Sequence, residues 1–518
     1  MDDKRLLEFL RRHWDVIVLA AIVILGGYLR LSRLELMEFK GDEWVLHSLA
    51  LKEAQGEFQL KGLLSSVKIH NPPMAVYLFA IPALFTKDPI VFAWLPAILG
   101  TLAIAGGYFL ARKWMSRGAA LGAMFLFAVS PWAILESRKI WAQDLLPFFT
   151  VAFFLSAVGW LQSGRFRYIV GAAAALAILN QVHYSTLALW PAAAFLVWRR
   201  ASWAAAKLWL AGLALYLVLW APFLVFLARG GAAEFGQHEV GKRVSQGVGA
   251  QLAEAMKWQP RLMGHGGFEV SLGRSAQEFT ADRGTFPWLT GLFLLLLTGG
   301  AAAAVARAKR EPEMVLVLLW LVMPMLVIAF HKVHFHYLIV CWPATFLAAG
   351  IFADAAADWV RKAIPNRTAH MAILAGAVAA LLAVGAREVR FYRGFLDFVS
   401  TNGGTLGDYG TTYRDKLRVA RYLEDLPAEE NFVLIDTAAT PPSEDTYQYL
   451  YLLLKGVAPA VKPELRPVTS DTPVYVVLGP SVKGEVKLKL DIFQNAGTVK
   501  LGPLRVQRFL PTGARAQP

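Results

Sequence analysis

"NPPMAVYLFAIPALFTKDP", residues 71–89, decides how the chain threads a membrane. Its apolar run, 74–86, has 13 residues, and a helix needs ~20 to cross a bilayer. Two prolines lead it, which suits a break in the chain at the membrane edge rather than the start of a span. Eleven further apolar runs lie around it, at about 14–31, 92–111, 118–135, 145–161, 168–182, 184–198, 204–228, 286–306, 313–330, 335–353 and 369–386. If 74–86 crossed as well, Arg112, Lys113 and Arg117 would face the side opposite the basic N-terminal residues Lys4, Arg5, Arg11 and Arg12. If it lies along the interface, "ARKWMSR", "GRFR", "RRASWAAAK", "RAKR" and "RKAIPNR" all share the N-terminal side, as the excess of Lys and Arg in cytoplasmic loops requires. The expected fold is therefore a polytopic all-α membrane domain of about 11 transmembrane helices, residues 1–386, with a cytoplasmic N-terminus.

Composition agrees. The 518 residues are 56% hydrophobic and 17% charged, with a mean hydropathy of +0.44. The net charge of +14 lies mostly between apolar runs, because residues 387–518 hold 17 basic and 15 acidic residues. That distribution is a topology signal and gives no reason to expect a nucleic-acid partner. The single cysteine, Cys341, rules out a disulfide within the chain. Residues 14–31 are too long for a cleaved leader and lack a small-residue cleavage site, so they read as a retained span.

The tail, 387–518, reads as a small soluble α/β domain outside the cytoplasm. "YRDKLRVARYLEDLP" has helical spacing and a proline stop, and "NFVLID" and "VYVVLG" are short β-rich runs. "SEDTYQYLYLLLKG" between them reads as a helix, with Ser443 as N-cap and Gly456 as stop. "GEVKLKLDIFQNAGTVKLGPLRVQRFL" suggests terminal hairpins.

This threading gathers polar residues on the non-cytoplasmic face. The first outer loop, 32–91, carries Asp42, Glu43 and His47 in "FKGDEWVLHS", then Lys68, His70 and Asn71 in "KIHNPP". "ESRKIWAQD" adds Glu136, Arg138, Lys139 and Asp144, and "HKVHFHY" adds His331, Lys332, His334, His336 and Tyr337. A long loop, 229–285, lies on the same face. Ionisable groups at membrane depth are costly and mark a substrate path or a partner network. A carboxylate in a semi-apolar cleft suits a general base toward a hydroxyl, and cations suit a phosphate. The same residues admit structural roles. Asp42 and Glu43 can start a helix that runs to about Gln55, Asp144 can cap the span at Leu145, and Arg138 and Lys139 can be solvated flanking charges.

The order "FKGDEWVLHS", "HNPPM", "SRKIWAQDLLPFF" and "HYLIVCWPATFLAAGIF" resembles the membrane glycosyltransferases of the GT-C fold over about residues 10–355. It is most similar to the group of protein O-mannosyltransferases and the bacterial transferase that adds aminoarabinose to lipid A. The resemblance implies an enzyme of the bacterial inner membrane. It would move a hexosyl or pentosyl group, with inversion, from a polyprenyl-phosphate donor to a protein, glycolipid or polymer acceptor outside the cytoplasm. It places the catalytic base on Asp42, with Glu43 beside it and Asp144 lining the sugar or acceptor cavity. His336 stands where the family carries an arginine that approaches the carrier phosphate, so Arg138, Lys332 and His336 are expected to hold that phosphate, with His70 and Tyr337 near the substrate. The first loop has no "DxD", so no metal cofactor is expected, although a divalent ion stays open. The alternative from another class is a transporter or flippase of a lipid-linked sugar. Transporters often show repeated halves and midplane polar groups, and the sequence shows neither.

Overall fold

The computed structural model describes residues 3–65, 68–236, 247–283, 286–330, 333–404, 409–426, 432–437, 444–455, 472–480, 484 and 493–512. Helix α1 (Asp3–Leu31) leads into α2 (Gly41–Ala54), α3 (Met74–Ala83), α4 (Pro89–Ala111), α5 (Arg117–Val129) and the short α6 (Pro131–Leu135). Then come α7 (Leu146–Ser163), α8 (Phe166–Val182), α9 (Trp190–Arg199), α10 (Trp203–Phe226), the single turn α11 (Ala233–Gly236), α12 (Val248–Leu262), α13 (Phe268–Ser271) and α14 (Arg274–Arg283). The membrane part closes with α15 (Pro287–Arg307), α16 (Pro312–Ile328), α17 (Trp342–Ala363) and α18 (Arg367–Asn402). Among the described residues, seven helices are long and apolar enough to cross a bilayer, and four shorter apolar ones accompany them. The run at 74–86 forms a helix of only ten residues, Met74–Ala83, about 15 Å long at 1.5 Å per residue.

Local chemistry sets the helix ends. Asp88 accepts from the Ile90 amide at 3.0 Å with Pro89 as the first helical residue of α4. Ser116 starts α5 and Asn366 starts α18 in the same way. α7 ends at Gly164, whose φ of +63° suits a residue without a Cβ. Elsewhere glycine permits close helix contact: a Cβ on Gly300 of α15 would stand 1.9 Å from the Ala348 carbonyl oxygen of α17.

The helices have two distinct ends. At one, Asp15 takes the Tyr108 hydroxyl at 2.6 Å and Arg117 at 3.4 Å, while Arg307 meets Asp354 at 3.6 Å and the Trp114 carbonyl at 2.7 Å. These basic loops are the ones expected to share one face. At the other end, the stretches around residues 33–42, 70, 138–144, 183, 234, 265 and 334–337 meet each other and residues 388–413.

The C-terminal domain has helices α19 (Tyr413–Glu424) and α20 (Glu444–Leu454) on a four-stranded mixed sheet in the order β1-β2-β4-β3. β1 (Val433–Asp436) pairs in parallel with β2 (Val474–Leu478), and β3 (Phe493–Leu501) and β4 (Leu504–Pro511) form an antiparallel hairpin. Tyr447, Val419 and Leu423 fill one face of the sheet. The expected boundary at Arg387 falls inside α18, which continues without a break to Asn402 and carries the last apolar run out to this domain. Ser443, Gly456 and residues 485–492 lie outside the described residues.

Candidate active site

Asp42 is the second residue of α2 and Glu43 the third. Successive helix residues point about 100° apart, so the two carboxylates diverge. Asp42 is exposed and accepts from the Trp141 indole N–H at 3.4 Å. Glu43 turns inward, is 3% exposed and accepts from the Lys40 amide at 3.1 Å, closing the first turn of α2. Its burial, beside Glu38, raises its pKa.

Behind Asp42 lies a buried charge network. Lys139 meets Glu136 at 3.0 Å and Glu38 at 3.4 Å, and Glu38 meets Lys40 at 2.9 Å. Burial opposes charge on both partners, but the contacts win. Glu38 is held below the usual carboxylate range by Lys40 and Lys139, and Lys139 is held well above the usual lysine value by Glu136 and Glu38. Asp144, in the 3-10 turn Ala142–Leu145, is 1% exposed, and neither of its carboxylate oxygens is hydrogen-bonded among the described residues. It lies in the field of Lys139, Glu136 and Glu43.

Trp141 joins this network to the other segments. The Lys139 ammonium stands 4.1 Å from its ring centroid, a cation–π contact. His336 meets the same ring at 5.0 Å. His336 adjoins Tyr337 and His334, and Tyr337 reaches His183 at 5.5 Å. Lys40, Lys139, His183 and His334 all act electrostatically on His336. One exposed carboxylate, Asp42, is thus linked through Trp141 to a cluster that holds Lys139, His336, His334, Tyr337 and His183.

Two expected ligands have other work. Arg138 is 3% exposed and its Nη1 donates to the carbonyls of Leu29, Arg30 and Ser32 at 2.8, 3.0 and 2.6 Å. Its Nη2 donates to the Arg33 carbonyl at 2.8 Å, and Arg33 adopts a φ of 58°. The guanidinium therefore caps the carbonyls at the C-terminal end of α1. His70 is occupied too, its ring meeting Glu234 at 2.7 Å and its amide donating to the same carboxylate at 2.9 Å. Tyr184 donates to the His70 carbonyl at 2.8 Å, so His70 ties the first loop to the long one. Lys332 lies outside the described residues.

Residues 70–226 match the model of the dolichyl-phosphate-mannose-protein mannosyltransferase family. The chain aligns with the crystal structure of ArnT from Cupriavidus metallidurans in the apo state at a TM-score of 0.55 and 14% identity, covering 96% of this chain and 98% of that one. The chain has a GT-C fold. The structure of the same ArnT bound to undecaprenyl phosphate gives a TM-score of 0.55 at 13% identity, with 96% and 98% covered. The archaeal oligosaccharyltransferase AglB from Archaeoglobus fulgidus, in complex with an inhibitory peptide and a dolichol-phosphate, is 15% identical over 89% of this chain and 62% of that one, at a TM-score of 0.48. No curated protein sequence matches.

Within this GT-C fold, sequence reasoning passed over Lys40, Glu38 and Trp141. Lys40 lies inside the quoted "FKGDEWVLHS", Glu38 directly precedes it, and Trp141 follows the cation pair by two residues. An aromatic placed between cationic and acidic positions was the available signal.

Proposed function

We propose that the protein is a glycosyltransferase that moves one sugar from a polyprenyl-phosphate donor to a hydroxyl acceptor outside the cytoplasm, with inversion. The carrying observation is Asp42, exposed and bonded to Trp141, whose ring also meets Lys139 and His336. The likeness to ArnT, which has been seen with undecaprenyl phosphate, supports the choice of donor.

In this reading Asp42 takes the acceptor hydroxyl proton as the oxygen attacks the anomeric carbon. The bond from that carbon to the phosphate oxygen breaks on the opposite face, and the lipid phosphate leaves with its electron pair. Lys40, Lys139 and His336 face the negative charge that grows on that phosphate. Glu38 and Glu136 keep Lys139 protonated and aimed, and Asp144 lies in the same field. The indole of Trp141 and the Tyr337 ring offer faces for the sugar. The expected setting is a bacterial inner membrane, with the basic loops in the cytoplasm.

The test is transfer by purified protein in nanodiscs, from a panel of synthetic short-chain polyprenyl-phosphate sugars. Asp42→Asn should lower transfer by about 10²-fold or more, with the folded yield unchanged. Wild-type rates in that variant would overturn the role of Asp42.

A further inference from the structure

We infer that the C-terminal domain belongs to the catalytic apparatus, fixing the loop that carries Asp42 through Lys416 as a positioning residue and Tyr449 as a latch. The inference rests on the proposed role of Asp42.

The segment between α1 and α2 has no regular structure after its 3-10 turn Leu34–Leu36, yet it must place the start of α2. Its backbone is held from the C-terminal side at nearly every residue. The Tyr409 hydroxyl donates to the Leu36 carbonyl. The Tyr413 amide donates to the Met37 carbonyl at 2.9 Å. The Gly410 amide donates to the Glu38 carboxylate at 3.2 Å, and Glu38 pairs with Thr412 as an antiparallel bridge. The Lys416 ammonium, on a side chain only 2% exposed, donates to the Phe39 carbonyl at 2.7 Å. Phe39 itself is buried against Tyr413 and Tyr449, with ring centroids at 5.4 and 6.2 Å.

One turn beyond Asp42, α2 is pinned a second time. His47 is fully buried and its Nδ1 is hydrogen-bonded to the Tyr449 hydroxyl of α20. Trp44 packs on the same tyrosine at 5.3 Å. Asp42 therefore lies between two fixed points, the Phe39 carbonyl and the His47 imidazole, both set by the C-terminal domain. Lys416 also lies in the field of Glu43 and Glu38, so it joins the network behind the site.

Buried carbonyls left without donors are costly, so removing the Lys416 ammonium should release the loop. Displacing a catalytic group by 1 Å can cost about 10²-fold in rate. Substrate affinity depends on the other segments and should change little.

The experiment uses the full-length protein in nanodiscs with Lys416→Met. The expected result is a kcat lowered by about 10- to 100-fold, a donor KM within about threefold of wild type, and faster amide exchange over residues 36–44. A kcat within about twofold of wild type, or exchange that rises within 433–511 while 36–44 is unchanged, would overturn the proposal. If Lys416→Met does not fold, Tyr449→Phe removes a single hydroxyl and is read by the same two criteria, with a loss of a few-fold. Should the wild type transfer nothing from polyprenyl donors, the proposed function fails, while exchange over 36–44 still decides the positioning claim.

Discussion

Trp141 shows how much one residue carries at this site. Its N–H reaches Asp42, its face receives the Lys139 ammonium, and its ring meets His336 at a steep angle. The indole is thus the physical link between the base and the cationic surface. At 3.4 Å the bond to Asp42 is long, near the limit of a useful hydrogen bond, so it steers the carboxylate without locking it. Trp141→Phe keeps a ring for Lys139 and removes only the donor. It should lower kcat/KM by about tenfold, roughly 1.4 kcal/mol. Steady-state transfer assays would check this, and an unchanged kcat/KM would mean that Asp42 is oriented by something else. Arg138 teaches the opposite lesson. The same charge type in the same loop donates to the carbonyls of Leu29, Arg30, Ser32 and Arg33, at and just beyond the end of α1, where Arg33 has a left-handed backbone.

At the scale of elements, the joint between α2 and α20 titrates. Burial pushes the His47 imidazole down to about 3, so the folded protein holds it neutral at any ordinary pH. Between pH 6.5 and 3 the unfolded chain binds a proton there that the folded chain does not, so stability falls as pH drops through that window. From pH 6.5 to 4.5 the loss amounts to about 2 kcal/mol. His47→Leu removes the titration together with the Tyr449 bond. Wild type should therefore lose more of its melting temperature than His47→Leu when detergent-solubilised samples are taken from pH 7 to 4.5. Equal losses would show that the joint is open to water. Elements of the expected kind formed around this joint: α2 runs from Gly41 to Ala54, and the amphipathic stretches at 413–424 and 444–454 are helices. Their periodicity was readable because each buries one face.

For the whole molecule, the two ends of the helix bundle segregate charge as the basic loops suggest. Arg117, Arg307 and their acidic partners cluster at one end, while Asp42, Lys139, His336 and the C-terminal domain meet at the other. The single native cysteine, Cys341, is fully buried, which makes labelling clean. Asp425→Cys on the exposed end of α19 should react with a membrane-impermeant maleimide on intact cells. Lys309→Cys, in the loop between α15 and α16, should react only after the cells are opened. Reaction of both from the same side would break the threading and the proposed function with it.

The sequence by itself determined which stretches are helical, because burial in lipid or against a neighbour imposes a run or a period on the residue types. It also placed Asp42 at the start of α2 and gathered the polar segments on one face, because charge in loops is patterned by topology. Only the tertiary structure decided which of those polar residues face the site. Arg138 and His70 had the right chemistry and were taken by carbonyls at the end of α1 and by Glu234, while Trp141 was left to meet Asp42. The docking of residues 409–416 on 36–39 was likewise invisible in the sequence. Most of its bonds end on backbone carbonyls, and a carbonyl is the same in every residue, so no choice of side chain records that it is being held.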